Sequence, residues 1–190
     1  PLWWGHPSTP FSPAIQVLEG SIWKGRMLAV NKHDWAAGHF VDDFGRSRPL
    51  VRMPGGSLVE PPVLALGFGT DRGEIWALTN NQGLNLAAGW VGTATRRYAA
   101  VWTWLGSTFS SPIIASEYGE TFGRNAVALN VRGSGSSDWV VYGQADASEV
   151  APRQPFMAQA RPDPQTPNSV LLERSGLALD VLDIDLPGDP

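Results

Sequence analysis

The densest group of side chains able to do chemistry lies in NKHDWAAGHFVDD, where His33, Asp34, His39, Asp42 and Asp43 fall close together. Two imidazoles and a carboxylate can hold zinc or iron with coordination positions left open. The spacing argues against it. Two histidines share a helix face at i and i+4, and His33 and His39 do not have that spacing. The stretch reads as an irregular polar loop, and no metal is assigned to it. Asp180, Asp183 and Asp185 form a second acidic group. It has the oxygen chemistry of a calcium site but reads as the wet face of a final strand.

Acid–base chemistry has one candidate set. Glu74 precedes Trp76 by two positions, and Glu117 and Glu120 bracket Tyr118-Gly119. Retaining glycosidases hold two carboxyls about 5 Å apart. The test is whether Glu74 shares a cleft with Glu117 or Glu120. GFGTDRG at 67–73 is one residue too long for a dinucleotide fingerprint and no helical pattern follows it, so it reads as a turn. There is no G-x-S-x-G elbow and no cysteine. Thiolate chemistry and Cys-based zinc are therefore excluded. No catalytic residue and no cofactor is assigned.

Aromatic side chains are the other resource, with 9 Trp in 190 residues. In RRYAAVWTWLG the alternation puts Tyr98, Trp102 and Trp104 on one face of a strand. Such a stripe belongs to the core, to a protein interface, or to a platform on which sugar rings stack. Trp3 and Trp4 sit elsewhere, in the proline-rich PLWWGHPSTPFSP with Phe11, and Phe156 sits in a second proline-rich stretch. These four are the candidate partner-binding residues.

Short strands must position all of these groups. The 21 Gly and 16 Pro forbid long helices through most of the chain. Residues 14–31 read as two short strands around Gly20 or Gly25, and residues 32–62 are less regular. VLALGFGT and EIWALT read as a hairpin closed at 71–73, LNLAAGWV as the next strand, and SSPIIASEY as a short one. The clearest hairpin joins 126–132 to 138–144 through Gly133-Ser134-Gly135-Ser136. After the prolines of 151–168, a last hairpin turning at Ser175-Gly176 is expected. The fold class is mostly β: an antiparallel sandwich of jelly-roll type, or a small barrel, with extended proline-rich arms. The divisions are an N-terminal arm at 1–13, a core at 14–150, a linker or arm at 151–168, and a hairpin at 169–190. No repeat of fixed period is visible, which argues against a propeller or a solenoid.

Charge and composition narrow the function. Charged residues make up only 17%, below the roughly 25% of ordinary domains, and surfaces of that kind suit packing against other chains. The net charge is −4 and no basic run exceeds Arg96-Arg97, so no nucleic-acid footprint is present. No apolar run is long enough to span a membrane, and no secretory leader is visible. Proline-rich arms with little pairing of their own gain burial on a neighbour. The leading expectation is a structural or assembly protein of a homo- or hetero-oligomeric particle, most concretely a phage-type virion component. Such a component is made in the cytoplasm and works in the virion or outside the cell. The alternatives are a carbohydrate-binding module or lectin-like adhesin using Tyr98, Trp102 and Trp104 on surface glycans, and a jelly-roll glycosidase.

Overall fold

A computed structural model describes residues 2–3, 15–16, 24–65, 69–79, 85–114, 127–133, 139–146, 153–162, 164–165 and 170–177. They hold strands and turns and no helix, so among them no helix is long and apolar enough to cross a membrane. The strands are antiparallel and do not close into a barrel; the fold is sandwich-like. β1 (Leu2–Trp3) pairs with β2 (Ile15–Gln16). The first four-stranded sheet has β3 (Lys24–Val30), β4 (Ala36–Val41), β5 (Ser47–Arg52) and β6 (Leu58–Val59) in order. The second has β7 (Arg72–Leu78), β8 (Leu86–Gly92), β9 (Arg97–Thr103) and β10 (Ile113–Ile114). The third has β11 (Val127–Gly133), β12 (Trp139–Asp146), β13 (Arg153–Pro162) and β14 (Val170–Leu177).

In each sheet of four every strand pairs with its neighbour in sequence. These are meanders, and the crossovers of a jelly roll do not occur among the described strands. The three sheets are copies of one unit. In β3 the register shifts between Met27 and Ala29, so Leu28 bulges; Trp76 bulges likewise in β7 and Leu129 in β11. Each bulge follows a residue paired with a glycine of the next strand: Met27 with Gly38, Ile75 with Gly89, Ala128 with Gly143. The glycines are required there. A Cβ on Gly38 would overlap the Arg26 carbonyl oxygen, and a Cβ on Gly89 the Glu74 carbonyl oxygen. A repeat of roughly 50 residues is therefore present, contrary to the sequence expectation. Its loops differ in length, and a large apolar residue at each bulge is not distinctive in a strand, which hides the period.

The sheets stack face to face. β7 lies against β3, β4 and β5, and β11 lies against β7, β8 and β9. The row Ala29–Ala37–Val51–Val59 of the first sheet and the rows Ile75–Gly89–Ala100–Ile114 and Leu78–Ala87–Trp102 of the second contribute to one core. Every residue of β8, LAAGWVG, is buried. Its small side chains let neighbouring sheets approach on both faces. Trp35, Trp104 and Phe109 fill one end of the core with edge-to-face contacts.

Several expectations are corrected. AAGHFV forms β4 inside a stretch that reads as irregular, because burial on both faces outweighs the weak strand preference of Ala and Gly. Val63–Ala65 do not pair with β7. Thr70 ties them as a loop, donating from Oγ1 to the Val63 carbonyl (2.6 Å) and accepting from Ala65 N–H (2.8 Å). The supposed linker contains β13, which pairs on both sides. Pro155 pairs only with β12, and Pro162 only with β14. Each proline thus has one ladder partner among the described residues, at an end of a ladder where a missing N–H is tolerated. Ser175-Gly176 is not a turn: β14 runs through it, and the register shifts there. The N-terminal arm is paired at Leu2 and Trp3. Residues 178–190, including Asp180, Asp183 and Asp185, lie outside the described residues, as does the turn at 134–138.

Asn31 joins the first two units. It is buried, its Oδ1 accepts from His33 N–H (3.0 Å) and Trp35 N–H (3.1 Å), and its Nδ2 donates to the Thr79 carbonyl (3.0 Å). These bonds hold a turn in which Asp34 takes φ +61°. Asn31→Ala strands buried polar groups in both units. The expected loss is about 1–3 kcal/mol of unfolding free energy in urea titration, and a loss near zero contradicts the clamp.

Candidate functional site

The repeat builds a cleft of about 770 Å³ between the first strands of the first two units. β3 contributes Lys24, Arg26 and the bulged Leu28, β4 contributes His39 and Val41, and β7 contributes Glu74 and the bulged Trp76. Arg26 and Glu74 occupy the same place in their units, since each has its carbonyl packed on a glycine. Arg26 and His39 are register partners across β3 and β4.

Glu74 is the pivot. Its Oε2 accepts a 2.9 Å hydrogen bond from Trp76 Nε1 and lies 3.7 Å from His39 Nδ1. The bond to Trp76 fixes the indole at the cleft wall. Burial lowers the pKa of His39; the Glu74 carboxylate opposes this and the Arg26 guanidinium adds to it. The imidazole is thus biased toward its neutral form, and its buried Nδ1 has no hydrogen-bond partner among the described residues. The cleft offers two cationic side chains, one carboxylate, a neutral imidazole and apolar surface from Trp76 and Leu28. That set can bind a polar ligand with an apolar face. It supplies one carboxylate, where glycoside hydrolysis with two carboxyls needs a second. Glu117 and Glu120 lie outside the described residues.

The structure splits the group from His33 to Asp43. His33 and Asp34 sit in the turn before β4, His39 lies within β4, and Asp42 and Asp43 lie at the turn after it. A strand of that length separates its ends by about 20 Å. Asp42 is also occupied: its Oδ1 accepts from Phe44 N–H and Arg46 N–H at 2.9 Å, and its Oδ2 from Arg46 Nε at 2.8 Å. Desolvation raises its pKa, but these hydrogen bonds and the Arg46 charge together bring it below the ordinary carboxylate value. No cluster of three metal-ligating side chains occurs among the described residues.

The aromatic stripe faces the core. Trp102 is 0% exposed and Tyr98 6% exposed, Trp104 is half-buried, and Trp102 Nε1 donates to the Pro62 carbonyl at 2.7 Å. Tyr98 and Trp102 offer no open face for a sugar ring, because both are buried in the core cluster and the Pro62 segment lies against Trp102. Trp3 lies in β1 opposite Ile15, and Phe156 lies in β13 opposite Gly143 and Leu177. Trp4 and Phe11 are outside the described residues. Sequence reasoning singled out His39 and Glu74 separately and missed their meeting. It also missed Arg26, Lys24 and Trp76 as lining groups. The available signal was the shared position of Arg26 and Glu74 two residues before each bulge.

No protein-family model matches the chain, and neither a curated protein nor a solved structure matches it.

The lowered pKa of His39 has a consequence for stability. The folded chain takes up this proton less readily than the unfolded chain, whose histidine titrates near 6.5. The unfolded state therefore binds more protons as pH falls through that value, and stability declines. Thermal unfolding from pH 8 to pH 5 is expected to show a falling Tm, and His39→Gln is expected to flatten the fall. An unchanged acid-side slope in the variant contradicts the environment described for His39.

Proposed function

We propose that the chain works by binding and assembly rather than catalysis, and that its units stack with units of the same kind in a second copy. The repeat carries this reading. Stacked repeats bury their faces only against neighbours, and the faces at each end need a cover. Four-stranded meanders arranged radially form propellers, which take roughly 4–8 blades, and three complete units are an arc of such a ring.

Two details support it. On the first sheet, the register row Val30–Ala36–Arg52–Leu58 lies on the opposite face from the core row, and Val30 is 54% and Leu58 39% exposed. The pair β1–β2 joins Leu2 to Gln16 and Trp3 to Ile15, with the same spacing that joins Ala100 to Ile114 and Val101 to Ile113 in β9–β10. β1 and β2 thus correspond to the third and fourth strands of a unit, a pair that a further strand pair can extend. A virion-type particle is the specific setting that composition favours for such an assembly. The glycan reading loses the platform assigned to it, since Tyr98 and Trp102 are buried.

Native mass by light scattering or sedimentation is the test. The chain has a mass of 20.5 kDa, and a dimer or larger species is expected at micromolar concentration. Val30→Lys with Leu58→Lys should shift the equilibrium toward monomer without lowering Tm. A mass of one chain at every concentration overturns the proposal.

A further inference from the structure

A further concave feature among the described residues lies away from the His39–Glu74 cleft. It is a pocket of about 300 Å³ between equivalent hairpin turns of the first two units, the one joining β4 to β5 and the one joining β8 to β9. Gly45 and Ser47 line it from the first unit, and Arg72, Trp90, Arg96 and Arg97 from the second. We infer that this pocket binds a tetrahedral oxyanion, a sulfate or phosphate group free or carried on a small polar ligand.

Arg72 and Arg97 both pair with Gly92, from opposite sides. Gly92 carries no side chain, and the Arg96 carbonyl oxygen packs where its Cβ would stand, which brings the turn bearing Arg96 close to the strands of Arg72 and Arg97. Arg96 precedes Arg97 in the adjoining turn. That turn is set by its own bonds: Thr93 N–H donates to the Arg96 carbonyl at 2.9 Å, and Thr93 Oγ1 accepts from Thr95 N–H at 3.3 Å and Arg96 N–H at 3.2 Å. Arg97 is positioned by stacking, with its guanidinium 4.4 Å from the centre of the Trp90 ring.

The carboxylates nearby leave an excess of positive charge. Asp71 accepts from Arg72 Nε at 3.1 Å and lies 3.9 Å from Arg46 Nη1, and Asp42 is held by Arg46. Neither aspartate forms an ion pair with Arg96 or Arg97 among the described residues. A second, independent observation points to an acceptor. Trp90 is only 2% exposed, and its Nε1–H is buried with no hydrogen-bond partner among the described residues. Buried indole donors are ordinarily satisfied. An anion in the pocket that Trp90 lines would supply the missing oxygen. Three guanidinium groups and an indole, carried on two strands, a turn and a third strand, suit an acceptor with oxygens directed several ways. Arginine donors match such oxyanions by their fixed fork geometry.

The test uses the whole chain at low ionic strength. Calorimetric titrations with sodium sulfate, sodium phosphate and sodium acetate are compared with sodium chloride at equal ionic strength. Saturable binding of sulfate or phosphate at one site per chain is expected, with a matching rise in Tm that chloride does not give. Arg96→Gln and Arg72→Gln should each weaken it about tenfold or more. Trp90→Phe should weaken binding while leaving the anion-free Tm no lower than that of the parent, because the stranded donor is gone. Phosphate binding alone or sulfate binding alone identifies the group carried by the ligand. Heats equal to those of chloride, acetate binding as tight as sulfate binding, or full binding by Arg96→Gln, an exposed turn substitution, overturns the inference.

Discussion

The arrangement depends on one close approach: a backbone carbonyl of the first strand lying where a side chain of the second strand would begin. In the first unit the carbonyl belongs to Arg26 and the vacant position is Gly38; in the second they belong to Glu74 and Gly89. No other residue type leaves that space. The approach brings the strands together just before each bulge, and the bulge gives the first strand its local turn and re-aims the residues around it.

The cleft follows from that constraint. Arg26 and Glu74, whose carbonyls meet the glycines, both line it, and so do the bulged Leu28 and Trp76. The first two units thus bring equivalent positions to a common space with different side chains. One brings a guanidinium and an aliphatic group, the other a carboxylate and an indole. His39 follows Gly38 directly, and so the same device sets it beside Glu74. The scaffold is constant and the chemistry varies, which is the property of a repeat used for recognition. The hairpin turns at Gly45 and Thr93 follow the same logic, since equivalent loops of adjacent units become neighbours.

Much of this was legible in the residues and some was hidden for definite reasons. The β class, the strands β7, β8 and β9 and the pairing of 126–132 with 138–144 follow from alternation and turn chemistry. The burial of Trp102 is the commonest fate of such a stripe. The repeat was masked because its shared element is a glycine and a register shift, and neither produces a pattern of side chains. Leu28, Trp76 and Leu129 share only a large apolar side chain, which is common in any strand. Loop lengths vary, and β13 carries Pro155 and Pro162, which read as part of a linker. The pairing of His39 with Glu74 joins different units, and no local window contains both. The Trp90 orphan and the arginines around Gly92 become a site only when two distant turns meet.

The equivalence of the three units is open to one direct measurement: the unfolding free energies of Gly38→Ala, Gly89→Ala and Gly143→Ala, made one at a time. Forcing a methyl group against a carbonyl in a packed sheet costs about 1–3 kcal/mol. All three variants should lose stability in that range and by similar amounts, Gly143 included, where only the register identifies the position. A neutral Gly143→Ala beside two damaging substitutions would mean that the third sheet is not built as the first two are.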